Sequence, residues 1–222
     1  MKKPFLSFIL IMASNICLSQ SVESDIQEIR TKYQNIEDSL IHATRIILKR
    51  LPNTHPQLWV LSFHDTFKID FLDCAKNHKE DAVLIVYYWN NKIKKLAYSG
   101  KAIDNSNFRE VFFYFDNGPE FFDGEVFFSN TKFQDNDSSI ENDCLSTITE
   151  SRYYYKHSKL IKHLEKNFSI HPNDNKDEIK RKSENAPNQE IDIVEGDMGN
   201  IKDGHEIIQF LFSNGYLNLD GY

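Results

Sequence analysis

The chain has 222 residues, with 33 acidic against 26 basic side chains and a formal net charge of −7 at neutral pH. A length of this order suits one domain. The acidic balance excludes functions that need a basic surface, namely binding to nucleic-acid backbones or to anionic lipid headgroups.

The N-terminus reads as an export signal. Lys2 and Lys3 form its basic start, Phe5 to Ala13 its apolar core, and small residues follow at Cys17 and Ser19. Cleavage after Ser19 places residues 20–222 in the periplasm or outside the cell, with the charge moved from −7 to −9 by loss of two lysines. The apolar run is shorter than the roughly 20 residues of a membrane-spanning helix, and no later stretch approaches it, so no integral membrane segment is expected after cleavage. Ser14-Asn15-Ile16 lacks the small residue that a lipidation signal places before its cysteine, which argues against an anchor at Cys17.

Residues 24–51 carry the clearest helical period. Ile26, Ile29, Tyr33, Ile36, Leu40, Ala43 and Ile47 alternate spacings of three and four, which predicts one long amphipathic helix about 40 Å in length. Ser24 and Gln27 fit a capping box, Lys49 and Arg50 suit the negative end, and Pro52 ends it. Its apolar face widens at Ile41, Ile46 and Leu48, which suits packing on a sheet better than a coiled-coil seam.

Two strands are expected at Leu58 to Leu61 and at Phe67 to Phe71, and another at Ala82 to Trp89, a β-branched and aromatic run too short for a typical helix. The stretch FREVFFYFDNGPEFFDGEVFF, residues 108–128, then gathers eight of the seventeen phenylalanines. Val111, Phe113 and Phe115 alternate with Glu110, Phe112, Tyr114 and Asp116, and Asp116-Asn117-Gly118 before Pro119 reverses the chain. A hairpin at a sheet centre buries such aromatics across strands, about 150 to 250 Å² each, and aromatics on both faces imply two covers.

The pattern of aromatic strand, polar turn and second strand recurs at Tyr87 to Ile93 and at Tyr153 to Leu160, so three hairpins of one meander are predicted. Residues 172–204 are polar and charged, with few large apolar side chains, and read as a flexible linker. The last segment, 205–222, fits a short helix capped by Gly215, or a fourth hairpin. The organisation is thus a signal peptide at 1–19, a helix-plus-sheet domain at 20–171, the linker and a C-terminal element. The fold class is α+β, a long N-terminal amphipathic helix packed on an antiparallel β-meander.

The strand at Tyr87-Tyr88, the run Glu110-Val111-Phe112-Phe113-Tyr114-Phe115-Asp116-Asn117-Gly118, and Glu150-Ser151-Arg152-Tyr153-Tyr154-Tyr155 leading into Lys159-Leu160-Ile161-Lys162-His163-Leu164-Glu165 together carry a resemblance. Over roughly residues 82–167 the chain resembles a group of exported bacterial proteins of unknown function with signatures of the kind EEYYFxxGKL and ENRYYFxxGKLIRWLD. The resemblance implies a fold and carries no catalytic residue. The chain departs from the pattern at Pro119-Glu120 in place of Lys-Leu, at Ser158 in place of the turn glycine, and at His163 in place of the tryptophan.

Chemistry-bearing constellations are sparse. Cys74 and Cys144 are the cysteines left after cleavage. In an oxidising compartment they would close a disulfide worth about 4 kcal/mol, or stand as two independent small residues. No metal site is expected: His157 and His163 flank a turn, and Asp135 to Asp143 imitates a calcium loop but has Ile140 where glycine is needed and no closing carboxylate. No cofactor cradle and no nucleophile motif is present. Glu110 and Glu150 occupy matching positions before two aromatic strands, as a glycosidase-like carboxylate pair or, more simply, as partners of Arg152.

The expected function is a non-enzymatic binding or structural module of the cell envelope. Its partner is a protein, peptide or glycan, met through the aromatics Trp89, Phe112, Tyr114 and Tyr154 on the uncovered sheet face. The alternatives are a hydrolase of envelope glycans using Glu110 and Glu150, and an inhibitor or immunity-type protein whose acidic charge meets a cationic enzyme.

Overall fold

A computed structural model describes residues 4–50, 59–61, 82–89, 92–101, 108–116, 125–136, 146–171, 173–194 and 196–213. In chain order these form α1 (Pro4–Ser39), β1 (Thr44–Arg50), β2 (Trp59–Leu61), β3 (Ala82–Trp89), β4 (Lys92–Lys101), β5 (Phe108–Phe115), β6 (Val126–Asn136), β7 (Ser146–Lys156), β8 (Lys159–Ile170), α2 (Lys176–Asn185), β9 (Gln189–Glu190) and α3 (Ile201–Ser213). The strands make one antiparallel sheet in the order β2-β1-β3-β4-β5-β6-β7-β8-β9, a meander from β3 onwards. This is the expected α+β architecture, with the three predicted hairpins at β3/β4, β5/β6 and β7/β8.

The first helix begins earlier and ends earlier than the 24–51 span its period suggests, so Ser24 and Gln27 lie inside it rather than at its cap. Ser39 Oγ donates to the Ile36 carbonyl, a single 3-10 turn follows at Leu40–His42, and Thr44 to Arg50 pair with β3 from Thr44↔Tyr88 to Arg50↔Ala82. The residues read as the end of a long helix are therefore a strand. Thr44, Ile46 and Ile47 are β-branched, and a sheet partner outweighs a spacing that a helix would also satisfy. The strand expected at Phe67 to Phe71 lies outside the described residues.

Both sheet faces are covered. On one, Ile26, Ile29, Tyr33 and Ile36 of α1 pack on Tyr114, Phe127, Phe128, Tyr154 and Leu164, with Tyr33 stacked on Phe128 at 4.9 Å between ring centroids. The ion pairs Asp25–Lys156, Lys32–Asp116 and Glu37–Lys95 follow along α1 and carry it across the strands from β7 to β4. On the other face, Ile201, Ile208 and Leu211 of α3 close over Leu48, Val86, Leu96, Val111, Phe113 and Phe115. Gly204 permits that approach, because a Cβ there would lie 2.9 Å from the Phe113 ring. Each fully buried aliphatic residue contributes about 1.5–3 kcal/mol.

The segment expected to be a flexible linker contains an ordered helix. Asn175 Oδ1 accepts from the backbone of Asp177 and Glu178, Glu178 reaches back to the Asn175 N–H, and Lys182 pairs with Asp174. This capping box holds α2 although none of its residues is buried. Within α2 composition foretold the lack of core and local hydrogen bonding supplies the order, but the end of the segment joins the core, where Asn200 and Ile201 are buried.

Candidate functional site

Strand register sets out three side-by-side rows on the α1-bearing face. Lys95, Tyr114, Phe128, Tyr154 and Lys162 lie in cross-strand register beneath and beside α1. The second row runs Ala97, Phe112, Asn130, Arg152, Leu164, and the third Ser99, Glu110, Lys132, Glu150, Lys166. The last two rows form a polar strip flanked by α1 on one side and, at the β7/β8 end, by α2.

The expected aromatic contact face is therefore already occupied. Tyr114 and Tyr154 are 5 % and 2 % exposed under α1, and Phe112 is half-buried beside them with Lys95 Nζ 4.7 Å from its ring centroid. Tyr114 donates to Glu37 Oε1 at 2.8 Å, and burial together with that carboxylate drives its phenol pKa far up. The physical reason for the difference is that α1 covers the Tyr114/Tyr154 row while α3 covers the Phe113/Phe115 face, and Phe112 stays only half-buried. The Trp89 side chain, Cys74 and Cys144 lie outside the described residues.

Glu110 and Glu150 do share a face, but Lys132 stands in register between them, so they belong to a Glu-Lys-Glu-Lys ladder two strand spacings, about 10 Å, apart. Lys132 Nζ is 4.0 Å from Glu110 and Lys166 Nζ is 3.4 Å from Glu150. Ser183 of α2 donates to Glu150 at 3.3 Å and takes a hydrogen bond from Lys166 at 2.8 Å. Arg152 lies along the same strand as Glu150, with Nε 4.0 Å away, rather than across from it. Burial raises the Glu110 pKa above the usual carboxylate value. Lys132 and then Lys95 work against the shift, and Glu150 adds a little to it.

Within the strip three polar atoms are buried without a hydrogen-bond partner: Ser99 Oγ, Asn130 Oδ1 and Arg152 Nε. Arg152 spends its Nη2 on Asn188 Oδ1. Such orphans cost about 1–3 kcal/mol each, so their gathering on one patch of one face is unusual. The strip's Ser99, Asn130 and Lys132 escaped the sequence reading. The available signal was Ser129-Asn130-Thr131-Lys132, four polar residues set between Phe128 and Phe133.

Elsewhere the polar groups serve the fold. On the α3 side, Asn200 binds Ser129, Thr131 and Tyr155. A cleft of about 130 Å³ beside α1 is lined by Asp25, Glu28, Asp116, Glu125, Lys32, Lys156 and His157, with Lys32 and Lys156 paired to its carboxylates. Among the described residues no group of three histidines, cysteines or acids is placed to hold a metal, and no helix is long and apolar enough to cross a membrane. Comparison of the chain with family models, curated proteins and solved structures gives no match.

Proposed function

We propose that the chain is an exported binding module without a catalytic centre, acting in the periplasm or outside the cell, and that its contact region is the polar strip rather than the aromatic row. The observation that carries this reading is the cluster of unpartnered Ser99, Asn130 and Arg152 atoms beside a ladder of paired charges. A fold that closes both aromatic faces with its own helices leaves the strip as the polar patch with unspent hydrogen bonds, its three residues partly exposed although the orphaned atoms themselves are buried. The leader expected at residues 1–19 and the acidic balance support a partner among proteins, peptides or glycans of the envelope.

A second reading keeps the strip and makes it a hydrolase of envelope glycans. Its support is the raised pKa of Glu110, the property of a general acid. Against it stands Lys132, which occupies the register position between the two carboxylates where a scissile bond would sit. Incubating the purified protein with envelope glycans decides between the two. The binding-module reading expects no turnover, and turnover abolished by Glu110→Gln or Glu150→Gln overturns it.

A further inference from the structure

We infer that the strip binds a neutral, hydroxyl-rich ligand, a carbohydrate segment, through Ser99, Asn130 and Arg152. This rests on the reading of the chain as a binding module. Asn130 and Arg152 face each other in cross-strand register, and Ser99 lies one row away on the same face, opposite Glu110.

The unmet demands of these atoms define the ligand. Asn130 Oδ1 accepts and so needs a donor; Arg152 Nε donates and needs an acceptor; Ser99 Oγ does either. A hydroxyl meets both demands from one atom, and a sugar presents several hydroxyls on a rigid frame. An anion would satisfy Arg152 but has no proton for Asn130 and would face Glu110 and Glu150. A cation would satisfy Asn130 but would face Lys132, Lys166 and Arg152. The alternating ladder thus rejects net charge of either sign. Half-buried Phe112, in register with Asn130, adds the apolar surface on which a sugar's C–H face packs. A peptide would also offer donors and acceptors, but the orphans sit on a sheet face rather than an edge, and the strip's apolar side chains are only Phe112, Ala97 and the buried Leu164. Ser99, Asn130 and Arg152 are each partly exposed, and α2, which buries none of its residues, borders the strip through Ser183, with Asn188 beyond its end accepting from Arg152 Nη2.

The test is calorimetric titration of the full exported chain with chitotetraose, maltoheptaose and a sugar-free tetrapeptide, alongside thermal melts. Binding of at least one oligosaccharide is expected, weakened about tenfold by Ser99→Ala or Asn130→Ala and by Arg152→Lys, which keeps the charge but loses the donor at Nε. The ligand-free Ser99→Ala protein melts at the same temperature or higher, because an orphan has been removed. A role confined to packing would lower melting instead. No oligosaccharide binding, or binding indifferent to all three variants, overturns the proposal. Tetrapeptide binding that Ser99→Ala weakens, with no sugar bound, overturns the ligand class and leaves the module reading standing. Cleavage of a bound sugar that Glu110→Gln stops supports the ligand class and overturns the module reading.

Discussion

Tyr155 and Asn200 exchange two hydrogen bonds: the phenol donates to Asn200 Oδ1 at 2.9 Å, and the Asn200 backbone N–H donates to the phenol oxygen at 3.1 Å. Asn200 also takes a hydrogen bond from Ser129 Oγ and gives one to Thr131 Oγ1 at 2.9 Å, so the residue just before α3 is tied to β6 and β7 with its polar side-chain atoms used. Gly199, at φ +52, makes room for the phenol, since a Cβ there would come within 2.6 Å of its oxygen.

This node fixes the C-terminal cover. Asn200→Ala leaves the Ser129 and Tyr155 hydroxyls buried without their acceptor and is expected to cost about 2–3 kcal/mol in urea unfolding, against about 1 kcal/mol for Tyr155→Phe. If both changes leave the unfolding midpoint in place, α3 is held by its apolar face alone.

On the opposite face, Glu37 and Lys95 form the inner ion pair of α1. Lys95 Nζ lies 2.6 Å from Glu37 and over the Phe112 and Tyr114 rings, with the lysine side chain 9 % exposed and the glutamate 34 %. Glu37→Gln strands the lysine charge and is expected to destabilise the protein by about 2 kcal/mol, below the usual loss for a fully buried pair because the glutamate is partly wet. Asp25→Asn, which breaks the exposed pair with Lys156, is expected to cost about 0.5 kcal/mol or less. The double variant Glu37→Gln/Lys95→Met should recover most of the loss. Equal losses for Glu37→Gln and Asp25→Asn would remove the distinction.

The contrast between these two covers explains what a sequence discloses. Hairpins at Tyr87, Phe113 and Tyr153 were legible because aromatic alternation, turn residues and strand length are all local. The α1 stripe was legible up to Ile36, and failed beyond it because Ala43, just before β1, and Ile47, within it, continue the helical spacing into a strand whose partner, β3, is about 40 residues away. Helix α2 was hidden by a composition that buries nothing, its order coming from the Asn175 and Glu178 cap. The positions of Phe112, Tyr114 and Tyr154 were legible as one face, but not which helix would cover it. The strip depends on register, which places Asn130 against Arg152 and Lys132 between Glu110 and Glu150, and no spacing along the chain encodes that.

Glu110 gives the fold a pH dependence. Its folded pKa is raised above the ordinary 4.5, chiefly by burial, so the native state holds a proton that the unfolded chain has released. In that window the native state binds more protons, and stability falls as pH rises. The contribution is complete below the unfolded pKa and is lost as pH climbs through the folded one. Glu110→Gln is expected to be the more stable protein above the folded pKa and to lose the slope that the parent shows as pH rises above the ordinary carboxylate range. Parallel slopes for parent and variant across urea titrations at several pH values would show the carboxyl to be solvated.

His163 works with the opposite sign. Its ring stacks on Tyr153 at 4.3 Å, and its Nε2 is buried without a partner. Burial lowers its pKa below 6.5, with Glu165 and then Asp197 pulling the other way. Between the folded and unfolded values the unfolded chain binds more protons, so stability rises with pH and is lost as acid takes the pH down from 6.5 through the folded pKa. The ring lies at the β8 edge, where the His163 carbonyl accepts from Ile191 N–H and β9 pairs at Leu164 and Glu165. His163→Phe keeps a stacking ring without a titrating nitrogen. It is expected to hold the Ile191 amide equally protected from hydrogen exchange at pH 5.5 and 7.5, whereas in the parent protection falls at the lower pH. Equal protection in the parent at both values would mean that protonation reaches solvent without disturbing the edge.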